Sequence, residues 1–353
     1  MKKAVVAMSG GVDSSAACAV LLDKGFEVIG VTLRFFSPLG RISCCGADES
    51  INKAKQVCHK LGIRHYVKDA RAFFKKYVMD DFANGYLSGR TPNPCVECNR
   101  KLKFDYLFSI AETLGADFLA TGHYALLKQV KGDMALFRGK DPLKDQSYFL
   151  YCLPAKKLNK ILFPLGEIEK TETRKIADKL GLPNAKSAES KDICFIPNGD
   201  YKSWLKENGK AENVPGYVKD ESGKILGRHK GFFYFTVGQR RNLGISSSQR
   251  LYVSALNPKE NEVIVSPLEG AMFSGFLMSQ ANWLKENIDF EKKHYVQIRY
   301  RHKPCKASVK KEKDGLYSVK FEEKQFAAAK GQSAVFYEKD RVLGGGIIEE
   351  AFK

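Results

Sequence analysis

The opening of the chain restricts its fold more than any other segment. Ala4 to Met8 is a continuous apolar run, the pattern of a strand buried on both faces of a parallel sheet. It leads directly into Ser9-Gly10-Gly11-Val12-Asp13-Ser14-Ser15. Ala16, Ala17, Val20 and Leu21 then recur on one helical face, and Gly25 closes the helix. A strand, a glycine turn and a helix in that order begin an α/β unit, with the turn at the carboxyl end of the strand.

The same alternation continues. Val28 to Leu33 reads as a second strand, Glu49 to Leu61 as a helix and His65-Tyr66-Val67 as a third strand. Phe73 to Tyr86 and Lys103 to Leu114 read as helices, and Ala116 to Thr121 as a strand ending in Gly122-His123-Tyr124. This predicts a doubly wound parallel sheet over residues 1–204, with ligands bound beyond the carboxyl ends of its strands. Near residue 205 the pattern changes to short strands between turn clusters such as Pro215-Gly216 and Ser222-Gly223. Strands are expected at 232–237 and 251–256 in a small mixed or all-β central domain, 205–272. Alternation at 295–301, 316–321, 332–337 and 341–348 predicts a C-terminal β-barrel, 273–353.

The glycine turn can hold phosphate. Gly10 and Gly11 let backbone N–H groups approach an anion without Cβ interference, and the helix that follows points its positive end at it. Ser9, Ser14 and Ser15 add hydroxyls. Asp13 is a candidate helix cap or Mg²⁺ ligand. The Gly-Lys-Ser/Thr ending of a Walker loop is absent. The turn therefore suits holding pyrophosphate during attack on the α-phosphorus better than γ-phosphoryl transfer. A plain Gly-Gly turn with a capped helix is the bland alternative.

Composition bears on the partner. The chain has 58 Lys+Arg against 40 Asp+Glu, a formal net charge of +18, which favours nucleic acid or an anionic membrane surface. No stretch approaches the roughly 18 apolar residues of a membrane span. The short apolar N-terminus does not read as a signal peptide, so a cytoplasmic location is expected. Basic residues cluster after 240, at Arg240-Arg241, Lys292-Lys293, Arg299 to Lys303 and Lys310 to Lys313, with Tyr295, Tyr300 and Tyr317 interleaved.

Nine cysteines, an odd number, argue against a disulfide framework and for buried thiols plus a chemically active subset. Thr91-Pro92-Asn93-Pro94-Cys95-Val96-Glu97-Cys98-Asn99 is a proline-stiffened loop. It places Cys98 just before the helix expected at Lys103, beside Arg100, Lys101 and Lys103, where a thiolate would be stabilised. A second candidate, Cys194, lies in Ser190-Lys191-Asp192-Ile193-Cys194-Phe195. On spacing alone, both cysteines read equally well as small buried hydrophobes.

The motifs together carry a resemblance. Ser9–Ser15 looks like the signature of the pyrophosphatase-loop ATPases, an adenine nucleotide alpha hydrolase-like group. Ser9–Ser15, Thr91–Asn99, Thr121–Tyr124, Lys144–Tyr148, Ser190–Phe195 and Thr236-Val237-Gly238-Gln239-Arg240 resemble, in order and spacing, the tRNA-specific 2-thiouridylases of bacteria and mitochondria. The resemblance spans essentially the whole chain. It implies ATP-dependent thiolation of a wobble uridine through an adenylated base, with pyrophosphate and AMP released. ATP would lie against Ala7, Met8, Ser9, Gly10, Gly11, Val12, Asp13, Ser14, Leu33 and Gly122, with Mg²⁺. Asn93, Pro94, Cys95, His123, Lys144, Asp145, Gln146, Arg299, Tyr300 and Gln332 would meet tRNA. Cys194 would carry a persulfide and Cys98 would be its catalytic partner. A cysteine-persulfide donor and a thiol reductant would complete turnover.

Cys95 departs from the family pattern, in which many members carry an acidic residue there. Cys95, Cys98 and Cys194 together offer three thiolates, so a [4Fe–4S] cluster with one open iron is a second mechanism at this point. Cys44-Cys45 read as structural or incidental. Two other functions compete: an adenylating synthetase acting on a small molecule, which would need neither Cys98 nor Cys194, and an iron–sulfur or redox-responsive RNA-binding protein that releases no pyrophosphate.

Overall fold

The computed structural model describes residues 1–36, 46–185, 193–209 and 211–353. Cys44-Cys45 and Lys191 fall outside them. The chain divides into two units. The first holds 1–79, 94–199 and 340–342; the second holds 80–93, 200–339 and 343–353.

In the first unit, strands β1 (Lys3–Ala7), β2 (Glu27–Arg34), β3 (Arg64–Asp69) and β4 (Phe118–Ala120) lie parallel with a short fifth strand, Ile161–Leu162. The order is β3, β2, β1, β4, then Ile161–Leu162. The chain winds outward from β1 through β2 to β3, then returns to place β4 on the other side of β1. The gap between β1 and β4 is therefore the topological switch point, where such sheets open a crevice. Ala4, Val5 and Val6 are fully buried, as the opening apolar run requires. The helix Val12–Asp23 covers them with Ala16, Ala17 and Cys18, each of zero exposure, so small side chains seat this helix close to the strands.

The cysteine-bearing helix begins earlier than expected. Pro94–Glu97, Cys98–Tyr106 and Leu107–Thr113 follow one another without a break, the middle segment in π-helical form. Pro94 opens the first turn, where its fixed φ is favourable and its missing N–H costs nothing. Cys98 is thus inside the helix rather than ahead of it. The helix read at Phe73–Tyr86 is likewise composite: Arg71–Phe74 passes into a π-helical turn, Lys75–Met79. A hairpin, Ala125–Val130 with Asp133–Arg138, turns at Lys131-Gly132, both with positive φ.

The second unit contains two β-systems. Gly216–Asp220, Ile225–His229, Tyr252–Asn257 and Glu262–Ser266 form a mixed four-stranded sheet around Val218, Val253, Val263 and Val265. Met272–Trp283, His294–Gln297, Cys305–Lys311, Tyr317–Phe326, Ser333–Glu338 and Arg341–Phe352 form a ring of six. Met272–Trp283 pairs with both Tyr317–Phe326 and Arg341–Phe352, and this closes the barrel. Phe276, Met278, Val296, Ile298, Val319, Phe336, Leu343 and Ile348 fill it.

Two strand expectations fail here. Phe232–Tyr234 is a 3₁₀ turn, because Phe233 turns inward to burial and packs on Tyr234 (4.4 Å between ring centroids). The strand expected to reach Arg301 stops at Gln297. The Gln297 side-chain amide donates to the Arg299 carbonyl (3.1 Å), and Arg301 takes φ 63°, which a strand cannot accommodate. Phe276 has no exposure and sits at the centre of the barrel packing. Phe276→Ala is expected to lower the unfolding free energy by about 3–5 kcal/mol, measured by urea denaturation of the second unit's β signal.

Candidate active site at the carboxyl edge of the sheet

The loop after β1 is built so that its helix is left uncapped. Gly11 occupies the cap position with extended backbone and has no side chain to cap the helix, and among the described residues no side chain accepts from the first-turn N–H groups. Those donors therefore face outward for an anion. The serines brace the loop from within. The Ser14 hydroxyl donates to the Gly11 carbonyl (3.0 Å) and accepts from the Ser9 N–H (3.2 Å); the Ser15 hydroxyl also donates to Gly11 O (3.1 Å). Gly10 has φ 77°, and a Cβ there would lie 2.3 Å from the Ser50 carbonyl oxygen. From behind, the Asn184 amide donates to the Gly10 carbonyl and to Ser15 Oγ, each at 2.8 Å. Asn184 is fully buried, and its Oδ1 has no partner among the described residues.

Gly122 closes the crevice from the β4 side. A Cβ on it would lie 2.7 Å from the Asp13 carbonyl carbon and 2.8 Å from the Ser14 nitrogen. Only glycine lets these two backbones meet. Met8, Val12 and Leu33 are buried beneath the loop, while Ala7 and Gly11 are half-buried.

Asp13 does not cap the helix. Its Oδ1 accepts from Lys170 Nζ (2.6 Å) and from the Tyr124 hydroxyl (2.8 Å), and that hydroxyl lies 2.9 Å from Thr173 Oγ1. No local motif marks Lys170, Thr173 and Asn184: Lys170 and Asn184 reach the loop from 157 and 174 positions away, and Thr173 joins them only through Tyr124.

His123 follows Gly122 and is 9 % exposed. Burial, with the Lys103 charge beside it, holds its pKa well below the ordinary histidine value. Lys103 Nζ lies 3.3 Å from Nε2 and Thr121 Oγ1 lies 2.7 Å from Nδ1. An ammonium can only donate, so Nε2 accepts and the ring proton sits on Nδ1, given to Thr121. The imidazole is framed by Phe104 and Phe163.

The cysteines separate into two kinds. Cys18, Cys58 and Cys152 are buried, and burial pushes their thiols up, well above the ordinary range for Cys18 and to about 12 for Cys58 and Cys152; Cys305 rises to about 11. Such thiols stay protonated and inert. Cys95 is exposed, and Cys98 and Cys194 are half-buried. Cys98 opens the π-helical segment of a helix whose Lys103 meets His123 just after β4 and whose Tyr106 hydroxyl donates to Asp69 O at the end of β3, so Cys98, a turn or more earlier, projects beyond the carboxyl edge of the sheet. Cys194 is placed by its neighbour. Phe195 is 1 % exposed and meets Phe74 edge-on at 5.6 Å; Phe74 stacks on Phe35 at 4.5 Å, immediately after β2. Both cysteines therefore lie at the edge that carries the loop. Among the described residues no three His, Cys, Asp or Glu side chains converge to hold a metal. Cys95, Cys98 and Cys194 accordingly do not converge as the ligand set a cluster needs.

The remaining candidates differ in surroundings. Asp145 accepts from Arg138 Nη1 (2.9 Å), Gly139 N, Ser147 N and Ser147 Oγ, so it braces its own loop. Gln146 Oε1 accepts from the Tyr124 N–H (3.0 Å), and Lys144 is half-buried. In the second unit, Gln332 Nε2 donates to the Thr91 carbonyl (2.8 Å) and Thr91 N–H to Lys330 O (2.7 Å), which anchors the segment leading to Asn93. Arg299 Nη1 donates to Phe326 O (2.8 Å), and Tyr300 is 37 % exposed.

Comparison with known proteins bears on the whole of this architecture. The chain is 44% identical over 354 residues to the tRNA-specific 2-thiouridylase MnmA of Magnetococcus marinus, covering 98% of this chain and 99% of that one. The chain belongs to the tRNA-specific 2-thiouridylases. The MnmA proteins of Carboxydothermus hydrogenoformans (43% identity; 99% of this chain and 98% of that one) and Rickettsia rickettsii (45%; 98% and 96%) are similarly close. Family profiles described as tRNA methyl transferase HUP domain, tRNA methyl transferase PRC-barrel domain and aminomethyltransferase beta-barrel domain match residues 2–198, 202–267 and 273–348. As a 2-thiouridylase family member the chain is a tRNA-modifying sulfurtransferase, and the parallel sheet, small mixed/β central domain and C-terminal β-barrel expected from the sequence are present. Among the described residues no helix is long and apolar enough to cross a membrane.

Two outcomes follow from this geometry. Gly122→Ala is expected to weaken ATP binding by more than about tenfold, because a Cβ that close must displace the helix start; isothermal titration calorimetry measures it. His123 is neutral in the folded chain while an unfolded histidine titrates near 6.5. Below that pH the unfolded state binds the extra proton, so stability falls as pH drops from 6.5 to 5. The slope is at most about 1.4 kcal/mol per pH unit from this group. Urea titrations at both pH values should show a smaller drop for His123→Gln than for the parent.

Proposed function

We propose that the chain activates a wobble uridine of tRNA with ATP and replaces its 2-oxygen with sulfur carried on Cys194. One observation supports this reading above the others: the uncapped loop, Cys98 and Cys194 all belong to the first unit and stand at the same edge of its sheet. A small-molecule synthetase would have no use for the two cysteines, and an RNA-binding protein without catalysis would have no use for an uncapped, serine-braced loop.

The chemistry proceeds in two stages. A uracil 2-oxo group leaves poorly. Its oxygen attacks the α-phosphorus of ATP, an O–P bond forms, and pyrophosphate departs into the donors of the Ser9–Ser15 loop. Mg²⁺ would offset the phosphate charge, with Asp13 the carboxylate nearest the loop to hold it. The terminal sulfur of a Cys194 persulfide then attacks C2, and AMP leaves with the oxygen. Cys98 thiolate attacks the Cys194 sulfur, which releases the thiocarbonyl and leaves a Cys98–Cys194 disulfide; a thiol reductant restores both. A cysteine-persulfide donor reloads Cys194.

Residues 1–204 would carry this chemistry, with 205–272 as a small central domain and 273–353 touching tRNA. Asn93 to Cys95 and His123 would meet the base, extruded from its stack. His123, neutral with its proton on Nδ1, suits packing and hydrogen bonding better than proton transfer. Lys144 to Gln146 in the first unit, and Arg299, Tyr300 and Gln332 in the second, would each contact tRNA, in line with the +18 charge.

Cys98→Ser and Cys194→Ser are each expected to abolish 2-thiouridine formation while pyrophosphate release from ATP and tRNA survives. Mass spectrometry of tRNA nucleosides, with a pyrophosphate assay alongside, checks both; sulfur incorporation by either variant would overturn the relay.

A further inference from the structure

We propose that Lys170 is the phosphate-binding cation of the nucleotide pocket, delivered from outside the loop. The proposal rests on the ATP reading of the Ser9–Ser15 loop. A loop that cradles a nucleoside triphosphate must offset several negative charges, and backbone N–H groups alone supply only partial ones. Ser9–Ser15 contains no lysine or arginine. Lys170 occupies the first turn of the helix Lys170–Lys179, far along the chain, yet its Nζ reaches Asp13 Oδ1 at 2.6 Å.

The placement is unusual for a lysine. The residue is 7 % exposed, and lysine is seldom buried to this degree without a specific partner. Its ammonium lies 5.6 Å from the centre of the Tyr124 ring, and its own N–H donates to Asp141 Oδ2 (3.1 Å), which fixes the start of its helix. The Asp13 side chain is 35 % exposed, so the pair is not sealed in the core: its acidic member opens toward the crevice. The buried side supplies the rigidity. Tyr124 bonds Asp13 and meets Thr173 one turn along the lysine's helix.

A pair of this kind acts as a holder. Without nucleotide, Asp13 keeps the ammonium at the mouth of the loop and offsets its charge. With nucleotide, the phosphate chain arrives at the first-turn N–H groups within reach of the same ammonium, which shifts from carboxylate to phosphate oxygen. Asp13 is then free to face the accompanying cation. The loop thereby gains the full positive charge that a Walker loop carries in its own sequence. Because the charge lies at the pyrophosphate end of the ligand, Lys170 discriminates triphosphate from monophosphate and leaves AMP free to depart after sulfur transfer.

Calorimetric titration of the full chain with ATP and with AMP tests this. Lys170→Met and Lys170→Gln are expected to weaken ATP binding about tenfold to a hundredfold, the range for loss of a charge-assisted hydrogen bond, with AMP affinity unchanged. Lys170→Arg should recover most of the ATP affinity. Tyr124→Phe, which loosens Asp13 and keeps the cation, should leave the ATP-to-AMP ratio intact. Equal losses for ATP and AMP, an unchanged ATP affinity in both neutral variants, or the same selective loss in Tyr124→Phe would each overturn the assignment. Failure of the unaltered chain to bind ATP at all would instead overturn the nucleotide reading of the loop. Circular dichroism of each variant separates loss of fold from loss of binding.

Discussion

The backbone of Gly122 rests against the peptide that joins Asp13 to Ser14, and the rest of the site depends on that approach. It brings the end of β4 to the start of the first helix across the switch point, where the winding of the sheet reverses. Every other component is set from there. His123 and Tyr124 follow Gly122 directly, so one is directed into the Phe104–Phe163 frame and the other onto Asp13. The loop can then leave its first-turn N–H groups uncapped, because its serines and Asn184 support it from behind. A side chain at position 122 would separate these parts before any chemistry began.

Burial divides the thiols in a comparable way. Cys18, Cys58 and Cys152 pack as small hydrophobes and remain protonated, whereas Cys98, within its helix, and Cys194, in a turn, are only half-buried. Phe195 is the anchor for Cys194. Its ring packs against Phe74, which stacks on Phe35, so a segment without regular structure is fixed next to β2 by aromatic contact.

Much of this was legible in the sequence where local pattern and local geometry coincide. The apolar run at Ala4–Met8, the glycine turn and the alternating strands needed only periodicity and turn chemistry, and the relative order of loop, Cys98 and Cys194 came with the motifs. What was missed has specific causes. Pro94 was read as a loop residue, although proline is equally at home in a first helical turn, so Cys98 was placed one element too early. Phe232–Tyr234 has the composition of a strand, but inward packing of Phe233 decides its shape. Lys170 and Asn184 carry no signal at all, since their roles exist only once residues 157 to 174 positions apart are brought together. Asp145 lay inside a recognised motif, yet four internal donors occupy its carboxylate.

The separations that hide Lys170 from a reader also order events at the ribosome. Asp13 emerges early, Tyr124 is 111 positions behind it, and Lys170 another 46. Contacts of such long range close slowly, because chain entropy must be lost before they form. The sheet around β1 and β2 can assemble while the nascent protein still lacks its lysine, but the pocket cannot. Nucleotide would therefore find no finished pocket on a partly made chain.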